Sequence, residues 1–116
     1  MLAEEAVAVT LDVIRKPPLP PKPMITSFGD KRTQAFHRGE RVAAFSGFAR
    51  AAERKLDQLD AATAIGDLAR PGNHLEVLRG DREGQWSIRV NDQWRVCFTW
   101  PKGAPGPGNV EIVDYH

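Results

Sequence analysis

The sequence predicts an α+β fold in which two N-terminal helices pack on a small antiparallel β-sheet. Residues 31–63 carry apolar side chains at helical spacing, whereas residues 75–114 carry them at every second position, the period of a strand. Strands joined by short turns pair antiparallel. A chain of 116 residues has room for one such domain, so we expect the helices to cover one side of the sheet.

Local signals set the bounds of the two predicted helices. Asp30 is a favoured N-cap residue and Gly39 supplies a left-handed stop, so the first helix is predicted over residues 31–38. The second helix begins after Ser46, and charged residues occupy the faces beside its apolar stripe. That stripe consists of Phe48, Ala52, Leu56, Leu59 and Thr63.

Four strands follow the helices. They are predicted at residues 75–79, 85–90, 94–100 and 110–114, and the pattern is also compatible with a short strand at 24–28. The even-numbered positions of the central strands are apolar, so these positions should face the helices. The predicted core contains Trp86, Ile88, Val90, Trp94, Val96, Phe98, Leu56 and Leu59.

The register of the central hairpin can be predicted from parity and loop length. Residues paired across antiparallel strands share a face, so joint burial of the even positions requires paired numbers that sum to an even value, and a three-residue loop then places Ile88 opposite Val96. Arg89 then lies opposite Arg95 on the other face. Two like charges in this position destabilise a sheet. Either the two arginines are splayed in solvent, or an anion such as a phosphate lies between them.

Composition narrows the function classes. No apolar run approaches the length of a membrane span, and the acidic first residues lack the basic start of a signal peptide. Cys97 is the single cysteine and is expected to be a small buried residue, so a reducing cytoplasm fits. The net charge of +1 argues against autonomous binding of long nucleic acids.

The chemistry-bearing residues show no metal-ligand spacing, phosphate loop or nucleotide fingerprint, so metal-free acid–base chemistry without a cofactor is expected. We interpret His37 and His74 as structural. The chain finishes with Asp114, Tyr115 and His116, an unusual group after a strand. These residues either cap the strand or bring an imidazole suited to proton transfer.

A proline-rich stretch divides the chain into two parts. Five of the nine prolines lie between residues 17 and 23, where they favour an extended path that is unsuited to a core. We therefore assign residues 1–23 to an N-terminal extension with a proline-rich linker, and residues 24–116 to the folded domain. The extension is expected to be dispensable for activity.

Residues 24–116 resemble the HigB branch of the RelE/ParE superfamily, the toxins of bacterial type II toxin–antitoxin systems. The motifs that carry the resemblance are Met24-Ile25-Thr26-Ser27-Phe28, Leu59-Asp60-Ala61-Ala62-Thr63, residues 78–88 (LRGDREGQWSI), residues 90–98 (VNDQWRVCF) and Asp114-Tyr115-His116. The resemblance implies a small α+β toxin that cleaves mRNA on the ribosome. Cleavage would need no metal, because a 2′-hydroxyl attacks the adjoining phosphate.

The same resemblance implies the site residues. The catalytic positions fall at Arg79, Arg95, Tyr115 and His116, and Glu76 occupies a position where many members have a histidine. Glu76 is therefore expected to take over an acid–base role or to weaken activity. The substrate-binding positions are Arg89, at the margin of the site, and Asp114.

The implied partners are a HigA-like helix-turn-helix antitoxin, the ribosome and its mRNA, and operator DNA bound only through the antitoxin complex. No membrane partner is expected. Two other functions stay open: a ParE-like protein that poisons DNA gyrase, and a catalytically weak binding module with the toxin fold. The terminal Tyr115-His116 pair favours the nuclease, because ParE-type chains generally lack it.

Overall fold

The computed structural model describes residues 24–115. Two α-helices come first in this range, and four strands follow them. In chain order the elements are α1 (Lys31–His37), a 3₁₀ turn (Ala43–Phe48), α2 (Ala49–Ala61), a 3₁₀ turn (Ile65–Leu68), β1 (Glu76–Val77), a 3₁₀ turn (Gly80–Arg82), β2 (Trp86–Arg89), β3 (Trp94–Thr99) and β4 (Gly108–Asp114). The predicted α+β class with N-terminal helices is confirmed.

The first helix begins and ends where its capping residues require. The Asp30 carboxylate accepts a hydrogen bond from the Thr33 N–H at 2.9 Å, which satisfies a donor that the helix leaves unpaired. Gly39 adopts a φ of +98° and ends the helix, as predicted.

The second helix buries the predicted stripe over most of its length. Ala52, Leu56 and Leu59 are buried, but Thr63 is exposed and lies beyond the end of α2. The prediction for Thr63 is wrong because the Asp67 carboxylate accepts hydrogen bonds from the Thr63 N–H at 2.9 Å and from its hydroxyl at 3.1 Å. These bonds hold Thr63 in the turn that follows the helix.

The sheet has the order β1-β2-β3-β4, with every neighbouring pair antiparallel. The predicted register of the central hairpin is confirmed: Ile88 pairs with Val96, and Arg89 pairs with Arg95. A slip of one residue would exchange the two faces of the sheet.

Even-numbered positions of the strands face the helices and form the core. Ile88, Val96 and Phe98 are fully buried, together with Leu59 of α2 and Phe45 of the preceding turn. The remaining residues predicted in the core, Trp86, Val90 and Trp94, pack against it and keep part of their surface exposed. Large aromatic side chains commonly lie at a core margin in this way.

The edges of the sheet differ from the prediction. β1 has two residues instead of five, because the chain turns into the Gly80–Arg82 3₁₀ turn shortly after Leu78 donates its N–H to the Gln85 carbonyl at 2.8 Å. Residues 24–28 make one isolated parallel bridge, Phe28 to Val110, and form no strand. A Cβ atom on Gly106 would come within 2.3 Å of the Met24 carbonyl oxygen, so glycine permits this close approach.

The domain boundary after residue 23 stays a prediction, because residues 1–23 and His116 lie outside the described residues. Among residues 24–115, no helix has the length and apolar character needed to cross a membrane.

Candidate active site

The odd-numbered positions of β2 and β3 lie on the sheet face opposite the helices. An open pocket of about 580 Å³ lies on this face, where the loop before β1 meets the end of β2 and the start of β3. Its lining residues are His74, Leu75, Glu76, Arg89 and Arg95. Two arginines, a histidine and a glutamate therefore line one surface.

Arg95 is the most strongly fixed side chain of the pocket. Its Nε donates to the Ser87 hydroxyl at 2.7 Å, and its Nη2 donates to the His74 carbonyl at 2.6 Å. The same Nη2 lies 3.2 Å from the Glu76 carboxylate. The Arg95 side chain is 11% exposed. A guanidinium held by three acceptors presents its positive charge in one orientation, which is how a site prepares for a developing negative charge.

The opposed arginines are each neutralised by a different carboxylate. Arg89 pairs with Asp92 in the hairpin loop, and Arg95 pairs with Glu76 on β1. These two ion pairs offset the repulsion between like charges at paired positions, so the arginine pair is tolerated. Both arginines line the same pocket, with Arg89 more exposed than Arg95, and an anion held between them stays a prediction.

The end of β4 reaches the same site. The Arg95 guanidinium lies 5.7 Å from the centre of the Tyr115 ring, a distance typical of a cation–π contact. The Tyr115 N–H donates to the Gln93 carbonyl at 2.7 Å, and the Gln93 amide donates to the Asp114 carboxylate at 2.9 Å. The β2–β3 loop therefore holds the last described residues against Arg95.

One predicted site residue, Arg79, lies apart from the pocket, and the prediction for another, His116, stays a prediction. Arg79 is exposed and precedes the Gly80–Arg82 turn, outside the lining of the pocket. His116 lies outside the described residues. The structure therefore brings together Glu76, Arg89, Arg95 and Tyr115.

His74 was interpreted from the sequence as structural, yet it lines the pocket. Its φ is +46°, in the left-handed region that residues other than glycine seldom adopt. In the sequence, only the nearby Glu76 indicated that His74 belongs to the site. The left-handed backbone of His74 and the hydrogen bond that its carbonyl accepts from Arg95 depend on tertiary contacts.

Asn73 fixes the loop that carries His74. Its side chain is fully buried, donates to the Leu68 carbonyl at 2.9 Å and accepts from the Lys55 ammonium at 2.6 Å. Its carbonyl accepts from the Arg89 N–H at 2.6 Å. Burial lowers the pKa of Lys55, and the nearby positive charges of Arg54, Arg70 and Arg89 lower it further. Asn73 thus connects α2 to the pocket, and positive charge gathers around it.

Cys97 lies on the same sheet face but is fully buried. Burial raises the pKa of its thiol, and the nearby positive charge of Arg82 opposes this effect. Arg82 lies 3.2 Å from the Glu111 carboxylate. A thiol with a raised pKa is a poor nucleophile, in agreement with the predicted structural role.

A smaller pocket of about 200 Å³ lies between the helices, and most of its charged lining residues are acidic. Its lining includes the acidic residues Glu40, Glu53 and Asp57. Carboxylates repel phosphate, so the arginine pocket on the sheet is the better candidate for binding a nucleic acid. Within residues 24–115, no group of three His, Cys, Asp or Glu side chains is placed to hold a metal ion.

A helical layer on one face of an antiparallel sheet, with an arginine pocket on the other, defines an α+β protein suited to binding phosphate. A protein-family model described as the RelE-like toxin of type II toxin–antitoxin system HigB matches residues 26–116. The chain therefore belongs to the HigB-like toxin family, as the sequence motifs predicted.

Two curated relatives agree with this assignment. The chain is 41% identical to Toxin HigB-1 of Vibrio cholerae over 84 residues, which cover 70% of this chain and 88% of that toxin. It is 45% identical to Endoribonuclease HigB of Proteus vulgaris over 62 residues, which cover 53% of this chain. That alignment spans 65% of the Proteus protein.

Proposed function

We propose that this chain is a ribosome-dependent endoribonuclease that cleaves mRNA without a metal or cofactor. The observation that carries the proposal is the Arg95 guanidinium, fixed by Ser87, His74 and Glu76 at an open pocket. The similarity to a relative named Endoribonuclease HigB supports the same reaction class.

The proposed reaction breaks one phosphodiester bond in a single displacement. The 2′-hydroxyl loses its proton to a base, and its oxygen forms a bond to the adjoining phosphorus. The bond from phosphorus to the 5′-oxygen breaks, and that oxygen receives a proton from an acid. The products are a 2′,3′-cyclic phosphate and a 5′-hydroxyl. Proton transfer at each end typically contributes about 10²–10⁴-fold to the rate.

The arginines supply the positive charge that the phosphorane requires. Arg95 would bind a non-bridging oxygen of the scissile phosphate, with Arg89 at the margin and Arg79 approaching from the exposed turn. Since Arg95 is already oriented, little reorganisation accompanies the development of charge.

The end of the chain completes the proposed site. Tyr115, beside Arg95, would orient the ribose or stack on a base. Asp114 would hold the substrate strand at this end of β4, and His116 would carry a proton. Glu76 also lines the pocket, and its carboxylate would support the acid–base chemistry by balancing the charge of Arg95.

The open pocket and the modest charge support the proposed dependence on the ribosome. A net charge of +1 provides little attraction for free RNA, so the ribosome would position the mRNA strand for attack. Cleavage would inhibit translation in the cytoplasm until a HigA-like helix-turn-helix antitoxin neutralises the toxin. Operator DNA would be bound through the antitoxin.

Induced expression in bacteria, followed by mapping of 5′ ends on mRNA, tests the proposal. We expect cuts within translated codons that disappear when translation initiation is blocked. An Arg95→Ala variant should produce no cuts, whereas Arg50→Ala, on the exposed surface of α2, should behave as wild type. Intact mRNA together with a DNA-damage response would instead identify a gyrase poison.

A further inference from the structure

We infer that the imidazole of His74 is the general base that accepts the proton of the 2′-hydroxyl. This inference rests on the proposed endoribonuclease activity and assigns one of its two proton transfers to a residue. His74 lines the pocket beside the Arg95 guanidinium, which would hold the scissile phosphate.

The backbone of His74 supports a role for its side chain. Its φ of +46° lies in the region that glycine adopts at the lowest cost. A non-glycine residue in this conformation at a pocket wall indicates a functional constraint. The conformation also directs the His74 carbonyl to the Arg95 Nη2, 2.6 Å away. His74 therefore contacts, through its carbonyl, the arginine proposed to bind phosphate, and it is an exposed residue in the lining of the same pocket.

The other described candidates for the base are already engaged. The Glu76 carboxylate lies 3.2 Å from the Arg95 guanidinium, where it balances that charge. His37, the other imidazole in residues 24–115, is bonded to the Asp60 carboxylate at 2.6 Å, on the helical layer of the domain. An imidazole is also better matched than a carboxylate to proton transfer near neutral pH.

The proton balance of the step is complete. The neutral imidazole takes the 2′-hydroxyl proton as the bond from the 2′-oxygen to phosphorus forms. The bond to the 5′-oxygen breaks, and that oxygen receives a proton from the general acid of the proposed reaction, which regains one from solvent. The imidazolium of His74 then returns its proton to solvent after the product leaves.

Two substitutions test the role of the His74 imidazole separately from the role of the His74 backbone. His74→Gly removes the side chain and favours the left-handed conformation, and His74→Asn keeps a side chain that tolerates it. Both variants should therefore keep the carbonyl contact to Arg95. Asn109→Gly is the matched control, because Asn109 has a φ of +50° and lies at the start of β4, away from the pocket.

The experiment measures single-turnover cleavage of mRNA on programmed ribosomes, with thermal unfolding of each variant. We expect His74→Gly and His74→Asn to lose about 10²–10⁴-fold in rate at an unchanged melting temperature. Asn109→Gly should cleave at the wild-type rate. Free imidazole should restore cleavage to His74→Gly and should have no effect on Arg95→Ala.

Three results would overturn the inference. Wild-type rates in both His74 variants would limit this residue to its backbone contact and leave the endoribonuclease proposal intact. A loss that imidazole does not restore, with an equal loss of ribosome binding, would assign the side chain to holding RNA. Absence of cleavage by the wild-type protein would refute the proposed function and, with it, this inference.

Discussion

The two faces of the sheet use the same strands for opposite purposes. On the helical face, Ile88 and Val96 are paired and fully buried. Arg89, which follows Ile88, and Arg95, which precedes Val96, are paired on the other face and line an open pocket. Burial of the apolar face therefore fixes the register that juxtaposes the arginines, so stability and site geometry depend on the same pairing.

The largest effect on activity is expected from loss of the His116 imidazole. If His116 carries a proton, His116→Ala should reduce cleavage by about 10²–10⁴-fold and abolish growth arrest at ordinary expression. Growth after induction, with protein levels checked by immunoblot, measures the effect. Full toxicity of a well-expressed variant would remove His116 from the site.

Shortening a buried side chain on the helical face should lower the stability of the protein instead of its activity per folded molecule. Ile88→Ala leaves a cavity at a fully buried position, and we expect a loss of about 2–5 kcal/mol in the free energy of unfolding. The fraction that remains folded should still cleave mRNA. Urea unfolding followed by activity per folded molecule measures both quantities. A normal stability with lost cleavage would contradict the assignment of this face to the core.

Asn73 joins the two regions, and its loss should affect both. Asn73→Ala removes the bonds that its buried side chain makes to Leu68 and Lys55. Unpaired buried groups should cost about 1–3 kcal/mol, and the loop that carries His74 should loosen. Chemical unfolding and hydrogen exchange of the Arg89 amide, which donates to Asn73, measure this coupling. Unchanged exchange at Arg89 would show that the loop is held by other contacts.

The smallest effect is expected from deletion of residues 1–23. The proline-rich stretch between residues 17 and 23 favours an extended path that is unsuited to a core. A chain that starts at Met24 should therefore arrest growth as the full chain does. A shortened protein that is expressed but harmless would show that the extension contributes to activity.

The sequence was most informative where one physical rule decides the structure. Alternation of apolar residues together with a three-residue loop predicts the pairing of Arg89 with Arg95, which the structure confirms. It could not predict the short β1 or the exposed Thr63, since both depend on local bonds formed in the turns that follow.

The site was predictable only in part for the same reason. Glu76 and Arg95 were identified from motif positions, and the structure places both in the pocket. His74 was missed because its left-handed backbone and its contact with Arg95 arise only when the loop packs on the sheet. Arg79 shares a motif with the site, but the turn at Gly80 leaves it exposed.

The most direct test of the account compares wild type and Arg95→Ala in one single-turnover cleavage assay on programmed ribosomes. Arg95 lies on the pocket face, where loss of its oriented charge should lower the rate by about 10²–10³-fold. Thermal unfolding of the same preparations must show that the variant is folded. A folded Arg95→Ala protein that cleaves mRNA at the wild-type rate would contradict the assignment of catalysis to this face of the sheet.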